Sequence, residues 1–232
     1  RLLQLNLLDQ MAVSTIHQNQ VIKPGQKLAG TRIIPLAIRK EAVEAFEALC
    51  EGVPVVRILP IQPWKVGIIV TGSEVYHGRI QDGFGPVVRQ KLTELGCSIL
   101  RTEFTPDDPG ITAVKIQAMI EDGAQLVALT GGMSVDPDDL TPASIREAGG
   151  KIVFYGTPVL PGSMFLLAYV GDVPVMGLPG CVMYHQTSIF DLIVPRILAG
   201  ETLTKRDVAE LAHGGFCLNC QVCNFPECSF GK

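Results

Sequence analysis

The sequence lacks an excess of basic residues, and it is also poor in aromatic side chains. Lys and Arg number 19 against 23 Asp and Glu in 232 residues, giving a formal net charge of -4, and only 6% of residues are aromatic. A nucleic-acid platform needs basic side chains to neutralise phosphates and aromatic faces on which bases stack. The composition therefore predicts no nucleic-acid partner.

Long apolar runs are also missing. The longest candidate, residues 164–170, is far shorter than the roughly 18 residues needed to span a bilayer, and a buried strand explains it. We therefore expect no membrane partner. The chain begins at Arg1 rather than at a methionine, which indicates a fragment or a trimmed chain and leaves any leader segment unaddressed.

A dispersed disulfide framework is the third feature that the sequence lacks. Cys50, Cys97 and Cys181 are scattered singly, whereas the other four cysteines crowd into the last sixteen residues at ligand-like spacing. Secreted proteins of modest size place cysteines in spaced pairs, and proteins of reducing compartments do not. Cysteine usage therefore predicts a cytoplasmic protein.

Composition and turn signals divide the chain into three predicted segments, 1–62, 63–200 and 201–232. The first reads as a small, mostly β segment that is a fragment of a larger domain. Its extended stretches are expected at 13–16, 21–22 and 32–38, with one amphipathic helix at 41–50. The last segment is a tail that contains the four clustered cysteines.

Repeated strand, loop and helix patterns begin at Trp64. Apolar strands are predicted at 66–70, 97–104 and 126–129, with helices between them that begin near Pro86 and Pro109. Such βαβ steps imply parallel strands whose carboxyl ends share one edge, where ligands bind in open α/β sheets. We predict a three-layer α/β/α fold with a mostly parallel sheet.

Two features are predicted after the parallel strands. Gly171 and Asp172 form a two-residue turn, which predicts a hairpin that adds antiparallel strands at the margin of the sheet. A helix is expected over 183–199, with Pro195 kinking or ending it.

The loop after the strand at 126–129 is the strongest signal of a binding site. Gly131 and Gly132 allow backbone N–H groups to approach an anion, and the hydroxyls of Thr130 and Ser134 can donate hydrogen bonds to it. Asp139 belongs to an acidic cluster in the same loop. Carboxylates beside a bound phosphate indicate a divalent cation between them, so we expect a phosphorylated ligand with Mg²⁺.

The order of the motifs resembles one family. The chain is similar to the molybdopterin-binding domain of molybdenum-cofactor biosynthesis proteins, the group that includes MogA, MoeA and gephyrin. The resemblance spans about 64–200 and depends on the ordered stretches Val70-Thr71-Gly72-Ser73-Glu74, Gln81-Asp82-Gly83, Pro106-Asp107-Asp108, Thr130-Gly131-Gly132 through Asp139, and Gly177-Leu178-Pro179-Gly180.

The resemblance implies a domain that binds the phosphate of the dithiolene-bearing pterin and acts with ATP or molybdate. Asp82 and Asp139 are the implied catalytic pair, because carboxylates can hold the Mg²⁺ that neutralises the phosphates. The resemblance also implies a homo-oligomer, a dimer or trimer. The expected cofactor-binding residues are Thr71, Gly72, Ser73, Glu74, Thr130, Gly131, Gly132, Ser134, Gly162, Pro179 and Gly180.

The reaction stays open between two transferases. Met133-Ser134-Val135 is closer to MoeA, whereas Thr141-Pro142 is closer to MogA, so the motifs do not separate MgATP-dependent adenylylation of molybdopterin from molybdate insertion. The alternative is a non-catalytic carrier of molybdopterin or of the molybdenum cofactor, or a redox or metal sensor. A third possibility is reuse of the domain for another nucleotide, as in competence-damage-type proteins.

Several acidic residues have simpler explanations. Asp108 precedes Pro109 at a helix start and is predicted as an N-cap, with a ligand role as the less favoured alternative. Asp136 and Asp138 are expected to be solvated or turn-forming carboxylates. Glu74 either contacts the ligand or caps a loop.

The tail cysteines form the second site signal. Cys217, Cys220, Cys223 and Cys228 follow the spacing Cys-x2-Cys-x2-Cys-x4-Cys, which permits four thiolates around one centre. This overlapping spacing is closer to iron–sulfur ligation than to the two separated pairs of a zinc ribbon, although Zn²⁺ and free thiols stay as alternatives. We predict a metal or cluster site.

Overall fold

The computed structural model describes residues 1–133 and 140–232, which divide into an N-terminal unit, Arg1–Pro60, and an α/β unit, Ile61–Lys232. The predicted positions Ser134, Asp136, Asp138 and Asp139 lie outside the described residues. In the part of the chain that is described, no helix is both long enough and apolar enough to cross a membrane.

The N-terminal unit is a two-stranded antiparallel sheet with two helices. In chain order these are α1 (Leu2–Asn6), β1 (Met11–Thr15), β2 (Ala29–Ile33) and α2 (Lys40–Cys50). Asn6 joins α1 to β1, because its side-chain amide donates to the Val13 carbonyl at 2.8 Å and its oxygen accepts from the Val13 N–H at 2.9 Å.

The expected strands of this unit are only partly present. Residues 21–22 form no strand in the described structure, and the strand expected at 32–38 ends at Ile33. Pro35 lies two residues beyond that end, and proline has no N–H to donate to a ladder. The helix expected at 41–50 is confirmed within one residue, whereas α1 was not predicted.

The α/β unit is built on a six-stranded sheet. Its strands are β3 (Lys65–Thr71), β4 (Ser98–Thr105), β5 (Leu126–Thr130), β6 (Lys151–Tyr155), β7 (Leu166–Val170) and β8 (Val173–Leu178). They are ordered β4-β3-β5-β8-β7-β6, and β4, β3, β5 and β8 are mutually parallel. Strands β7 and β6 complete the sheet through antiparallel pairs. All of β5 is buried, as its unbroken apolar sequence requires.

Helices cover both faces of this sheet. They are α3 (Ser73–Tyr76), α4 (Phe84–Glu94), α5 (Pro109–Glu121), α6 (Thr141–Glu147), α7 (Cys181–Tyr184), α8 (Ile189–Leu198) and α9 (Lys205–Ala209), followed by a 3-10 helix at Glu210–Ala212. One core joins α4 and α8 to Ile68 of β3, and a second joins α5 and α6 to Ile69 of the same strand. Successive side chains of a strand point to opposite faces, which gives the sheet its two cores. The predicted three-layer, mostly parallel α/β fold is confirmed.

Three local expectations in this unit were wrong or incomplete. The hairpin at Gly171-Asp172 forms, but β8 lies inside the sheet beside β5 rather than at its margin. The helix expected at 183–199 is two helices separated by residues 185–188. Ser188 starts α8 with a capping box to Asp191, and Pro195 lies inside α8 without ending it. Strand β6 was not predicted.

Candidate functional site

The carboxyl ends of β3, β4, β5 and β8 lie along one edge of the sheet, as parallel strands require. Hydrogen bonds hold the first loops of this edge together. The Thr71 hydroxyl donates to the Thr130 carbonyl at 3.0 Å, and the Gly72 N–H donates to the Thr105 carbonyl at 3.1 Å. The ends of β3, β4 and β5 therefore have fixed relative positions.

The Gly131-Gly132 loop is packed too closely to accept side chains. Gly131 has a φ of +86°, and a Cβ there would lie 2.3 Å from the Thr71 carbonyl oxygen. A Cβ at Gly132 would lie 2.9 Å from Oγ1 of Thr141, whose hydroxyl donates to the Gly131 carbonyl at 2.9 Å. Contacts with β3 and α6 therefore determine the loop backbone before any ligand is bound.

Thr130 contains an unpaired buried hydroxyl at the centre of this edge. The residue is fully buried, and its Oγ1 has no hydrogen-bond partner among the residues that the structure describes. Leaving a buried hydroxyl unpaired costs about 1–3 kcal/mol. The Thr130 hydroxyl thus has a hydrogen-bonding capacity that the described residues leave unused.

Asp107 pairs with Ser73 across the ends of β3 and β4. The Ser73 N–H donates to Oδ2 of Asp107 at 2.8 Å, and the Asp107 N–H donates to Oγ of Ser73 at 3.3 Å. Asp107 also lines a cavity of about 10 Å³, the space of one water molecule, together with Thr71 and Thr141. The Pro106-Asp107-Asp108 motif is visible in the sequence, but it assigns no role to Asp107. The partner of Asp107, Ser73, lies 34 residues away in the chain.

Asp108 has the structural role that its position predicted. Its Oδ1 accepts from the Ile111 N–H at 2.8 Å, which makes it the N-cap of α5 with Pro109 in the first turn. Asp108 also lines the small cavity beside Asp107. The N-cap prediction is confirmed.

Asp82 lies at the start of α4 and is half-buried. Its Oδ1 accepts from the Phe84 N–H at 2.9 Å and from the Gly85 N–H at 3.0 Å, and an anionic carboxylate is favoured at a helix N-terminus. A Cβ at Gly85 would lie 3.4 Å from the side chain of Val70, so this helix start adjoins the carboxyl end of β3. The pairing of Asp82 with Asp139 stays a prediction.

The expected cofactor-binding residues Gly162, Pro179 and Gly180 differ in their surroundings. Gly180 is exposed, and the described residues leave open space where its Cβ would be, whereas Pro179 is buried. Gly162 is packed against α8, because a Cβ there would lie 2.3 Å from the Ile189 side chain. Packing is therefore enough to explain Gly162, while Gly180 leaves room for a ligand.

Two further groups complete this edge. Glu74 is exposed on α3, and Gly72 borders open space among the described residues. Cys181 begins α7 directly after Pro179 and Gly180, and burial raises the pKa of its thiol above the ordinary value. A raised pKa keeps Cys181 in the unreactive thiol form near neutral pH.

The four tail cysteines are not assembled as a single-ion site. Cys217 and Cys228 pack against the core, whereas Cys220 and Cys223 are exposed, and all seven cysteines are free. The described residues contain no group of three or more His, Cys, Asp or Glu placed to hold a metal ion. The expected ligation of a zinc ion or of a cluster by these four cysteines is therefore not shown by this arrangement.

The structure defines an α/β domain with a closely packed Gly-Gly loop at the carboxyl edge of its sheet. The family model described as "probable molybdopterin binding domain" matches residues 67–199, which is more than half of the chain. The chain belongs to this family of molybdenum-cofactor biosynthesis domains. The resemblance inferred from the ordered motifs is confirmed.

Two curated relatives illustrate the range of the family. A molybdopterin molybdenumtransferase of Synechococcus elongatus is 29% identical over 161 residues, covering 65% of this chain and 38% of the relative. A CinA-like protein of Mycobacterium sp. (strain JLS) is 33% identical over 93 residues, covering 40% of this chain and 22% of the relative. The chain thus spans less than half the length of these relatives.

Two of the solved structures to which the chain is similar are MoaB proteins. The tungsten cofactor synthesizing protein MoaB from Pyrococcus furiosus is 22% identical, with a TM-score of 0.48 over 59% of this chain and 96% of that one. The molybdopterin biosynthesis enzyme MoaB from Thermus thermophilus is 19% identical, with a TM-score of 0.47 over 60% of this chain and 98% of that one.

Proposed function

We propose that this chain binds molybdopterin at the carboxyl edge formed by β3, β5 and β8 and takes part in molybdenum-cofactor biosynthesis. The observation that supports this most directly is the buried, unpaired Thr130 hydroxyl, which has no partner among the described residues, beside the Gly131-Gly132 loop. A phosphate oxygen is the kind of acceptor that a hydroxyl and neighbouring backbone N–H groups bind. Membership of the family makes the phosphate of the pterin the favoured ligand.

The proposed reaction is a transfer to the bound pterin, either adenylylation by MgATP or insertion of molybdate. Both reactions bring negatively charged groups together. Catalysis therefore depends on positioning of the reactants and on neutralisation of their charge by Mg²⁺. Asp82 is the proposed metal-binding carboxylate, because both of its hydrogen bonds to described residues use Oδ1, and within those residues Oδ2 accepts none. Asp139 is proposed as its partner from the sequence motif alone.

Thr71, Ser73 and Asp107 have a positioning role in this proposal. Their hydrogen bonds connect the ends of β3, β4 and β5 and keep the loop amides in one arrangement. A site that is already ordered loses less conformational entropy when the ligand binds. Mg²⁺ and ATP would therefore meet a preformed edge rather than a flexible loop.

Titration of the purified chain with molybdopterin tests the binding proposal. We expect saturable binding, followed by adenylylated pterin when ATP and Mg²⁺ are present, or by a molybdenum-containing pterin when molybdate is added. Mass spectrometry of the pterin distinguishes the two products. Failure to bind molybdopterin at all would overturn the proposal.

A non-catalytic carrier is the second candidate, and the same titration separates it from an enzyme. Binding without either product in an assay that is active with a positive-control enzyme favours the carrier. Reuse of the domain for another nucleotide is the third candidate, and it is motivated by the similarity to CinA-like proteins. Nucleotide turnover in the absence of pterin would favour it.

Replacement of Asp82 by asparagine tests the catalytic assignment. The introduced amide oxygen can accept the same two backbone hydrogen bonds, so we expect the thermal midpoint to be preserved while Mg²⁺-dependent turnover falls about 100-fold or more. Asp172→Asn is the matched control, because Asp172 is an exposed carboxylate in the hairpin turn that precedes β8, at the opposite edge of the sheet. Equal turnover in both variants contradicts a role for Asp82.

A further inference from the structure

The tail and the segment between α7 and α8 enclose a second cavity, away from the Gly131-Gly132 loop. Its volume is about 280 Å³, and all four tail cysteines line it, together with His185 and other residues of the 184–187 segment. Four thiols around one cavity are a donor set that the proposed pterin site does not use. We call this space the thiol cavity.

The tail around the thiol cavity is docked on the α/β unit through its backbone. The Leu160 N–H donates to the Gly215 carbonyl and the Cys217 N–H donates to the Leu160 carbonyl, both at 2.8 Å. The Gly231 N–H donates to the Gly214 carbonyl at 2.9 Å, which closes the loop at its base. Phe230 anchors the far end, with only 3% of its surface exposed. The thiol cavity is therefore a feature of the folded unit.

The lining of the thiol cavity suits a soft metal centre. All of its lining residues are described, and they include no carboxylate, lysine or arginine; His185 is the one imidazole among them. Thiolates select zinc, copper(I) and iron–sulfur centres, whereas Mg²⁺ and Ca²⁺ require oxygen ligands. Phe216, Leu218 and Phe230 supply apolar lining, of which Phe230 is buried while Phe216 and Leu218 are also exposed to solvent.

The spacing of the thiolates differs between a single zinc ion and an iron–sulfur cluster. A single zinc ion holds its sulfur ligands at about 2.3 Å, which brings the four sulfurs to within about 4 Å of one another. The described residues contain no group of three or more His, Cys, Asp or Glu that could hold one metal ion, although all four cysteines line one shared space of about 280 Å³. A polynuclear cluster places iron and sulfide between its ligands, so the thiolates stand farther apart.

We propose that Cys217, Cys220, Cys223 and Cys228 bind an iron–sulfur cluster in the thiol cavity. Each thiol releases its proton to solvent as its sulfur bonds to iron. Thr187 supports the site, because its Oγ1 lies 3.2 Å from Sγ of Cys223 and can donate to the thiolate. Hydrogen bonds to ligating sulfurs stabilise such clusters and influence their potential. This proposal does not depend on the pterin site.

Anaerobic reconstitution of the full chain with Fe³⁺, sulfide and excess dithiothreitol tests the proposal. The thiol reductant supplies the electrons that convert part of the Fe³⁺ to the Fe²⁺ of a mixed-valence cluster. We expect iron and acid-labile sulfide to be incorporated in equal amounts, with the broad visible absorption of an iron–sulfur cluster. Iron bound without sulfide, or no iron after reconstitution, overturns the proposal. Zinc content is measured in the same samples, and zinc retained in place of iron and sulfide also overturns it.

Variants identify the ligands. Cys220→Ala removes an exposed thiol of the cavity, so we expect at least a tenfold loss of incorporated iron and sulfide with unchanged circular dichroism. Cys50→Ala is the matched control, because Cys50 ends α2 in the N-terminal unit and should leave the cluster content unchanged. Full incorporation by Cys220→Ala, or equal loss in both variants, contradicts ligation by the tail.

Discussion

The glycine-lined edge of the sheet and the thiol cavity are two candidate sites with opposite construction. The edge combines residues from Thr71 to Gly180, which are far apart in the chain, and its donors are hydroxyls and backbone N–H groups. The four thiols come from one stretch of twelve residues, 217–228. Hydroxyl and amide donors suit a hard phosphate anion, whereas thiolates suit a soft metal centre. The comparison shows one unit presenting two chemically separate surfaces.

Helix α4 connects the two regions. Asp82 precedes the helix at the glycine-lined edge, and Lys91 lies in its last turn. The Lys91 ammonium donates to the Gln186 carbonyl at 2.8 Å and pairs with Asp191 at 2.7 Å, and Gln186 lines the thiol cavity. A change at Lys91 should therefore affect the segment between α7 and α8.

The largest effect is expected from a side chain at Gly131. Gly131→Ala places a Cβ against the Thr71 carbonyl in left-handed backbone, so we expect a loss of about 3 kcal/mol in the free energy of unfolding and loss of molybdopterin binding. Iron and sulfide incorporation at the thiol cavity should persist below the new unfolding midpoint. Denaturant unfolding and pterin titration measure the two effects.

Gly149→Ala is the matched control for Gly131→Ala. Gly149 has a similar φ of +88°, but the described residues leave open space around its Cβ position. We expect a loss of about 1 kcal/mol from backbone strain alone, with pterin binding unchanged. Equal losses in both variants would show that the contact with Thr71 is not what restricts the loop.

An intermediate loss of stability is expected when the ion pair between Lys91 of α4 and Asp191 is removed. Lys91 and Asp191 are only 14% and 19% exposed, so Lys91→Gln should cost about 2 kcal/mol by leaving a partly buried carboxylate without its partner. Arg206→Gln is the control, because Arg206 and Glu210 are 87% and 63% exposed and solvent screens their pair, so its loss should leave the free energy of unfolding nearly unchanged. Similar costs for both variants would contradict a structural role for Lys91.

The smallest effect is expected in the reactivity of the thiols, which should differ between Cys181 near the glycine-lined edge and the cysteines of the thiol cavity. Burial raises the pKa of Cys181, so its thiolate fraction at neutral pH is lower than that of an ordinary thiol and rises only as the pH approaches the raised pKa. In metal-free protein, iodoacetamide should modify exposed Cys220 and Cys223 before Cys181. Mass spectrometry of timed samples measures the order, and Cys181 reacting first at neutral pH would contradict it.

The fold was predictable wherever the signal was local. Continuous apolar runs predicted β3 and β5, and Asp108 followed by Pro109 predicted the start of α5. The position of β8 inside the sheet was not predictable, because a hairpin turn specifies pairing with β7 and says nothing about the other neighbour. The break before α8 was missed because Pro195 was a stronger local signal than the capping box of Ser188.

The candidate sites, like the fold, combine features that a local pattern predicts with features that depend on distant residues. The Gly131-Gly132 loop and the cysteine spacing were visible as patterns, because each lies within a short stretch of chain. The pairing of Asp107 with Ser73 and the packing of Gly162 against Ile189 depend on residues 34 and 27 positions away. Only the packed structure brings such residues into contact, so no local pattern could assign their roles.

The sequence by itself indicated most strands and helices of the α/β unit, the membership of the family and the chemical character of each candidate site. Hydrophobic periodicity, capping residues and side-chain chemistry are local properties, and they can be read without coordinates. Tertiary structure alone decided that the Thr130 hydroxyl is buried without a described partner and that the tail cysteines share a cavity instead of surrounding a single ion. Burial and the distances between sulfur atoms depend on how remote segments pack, which is a property of the folded chain.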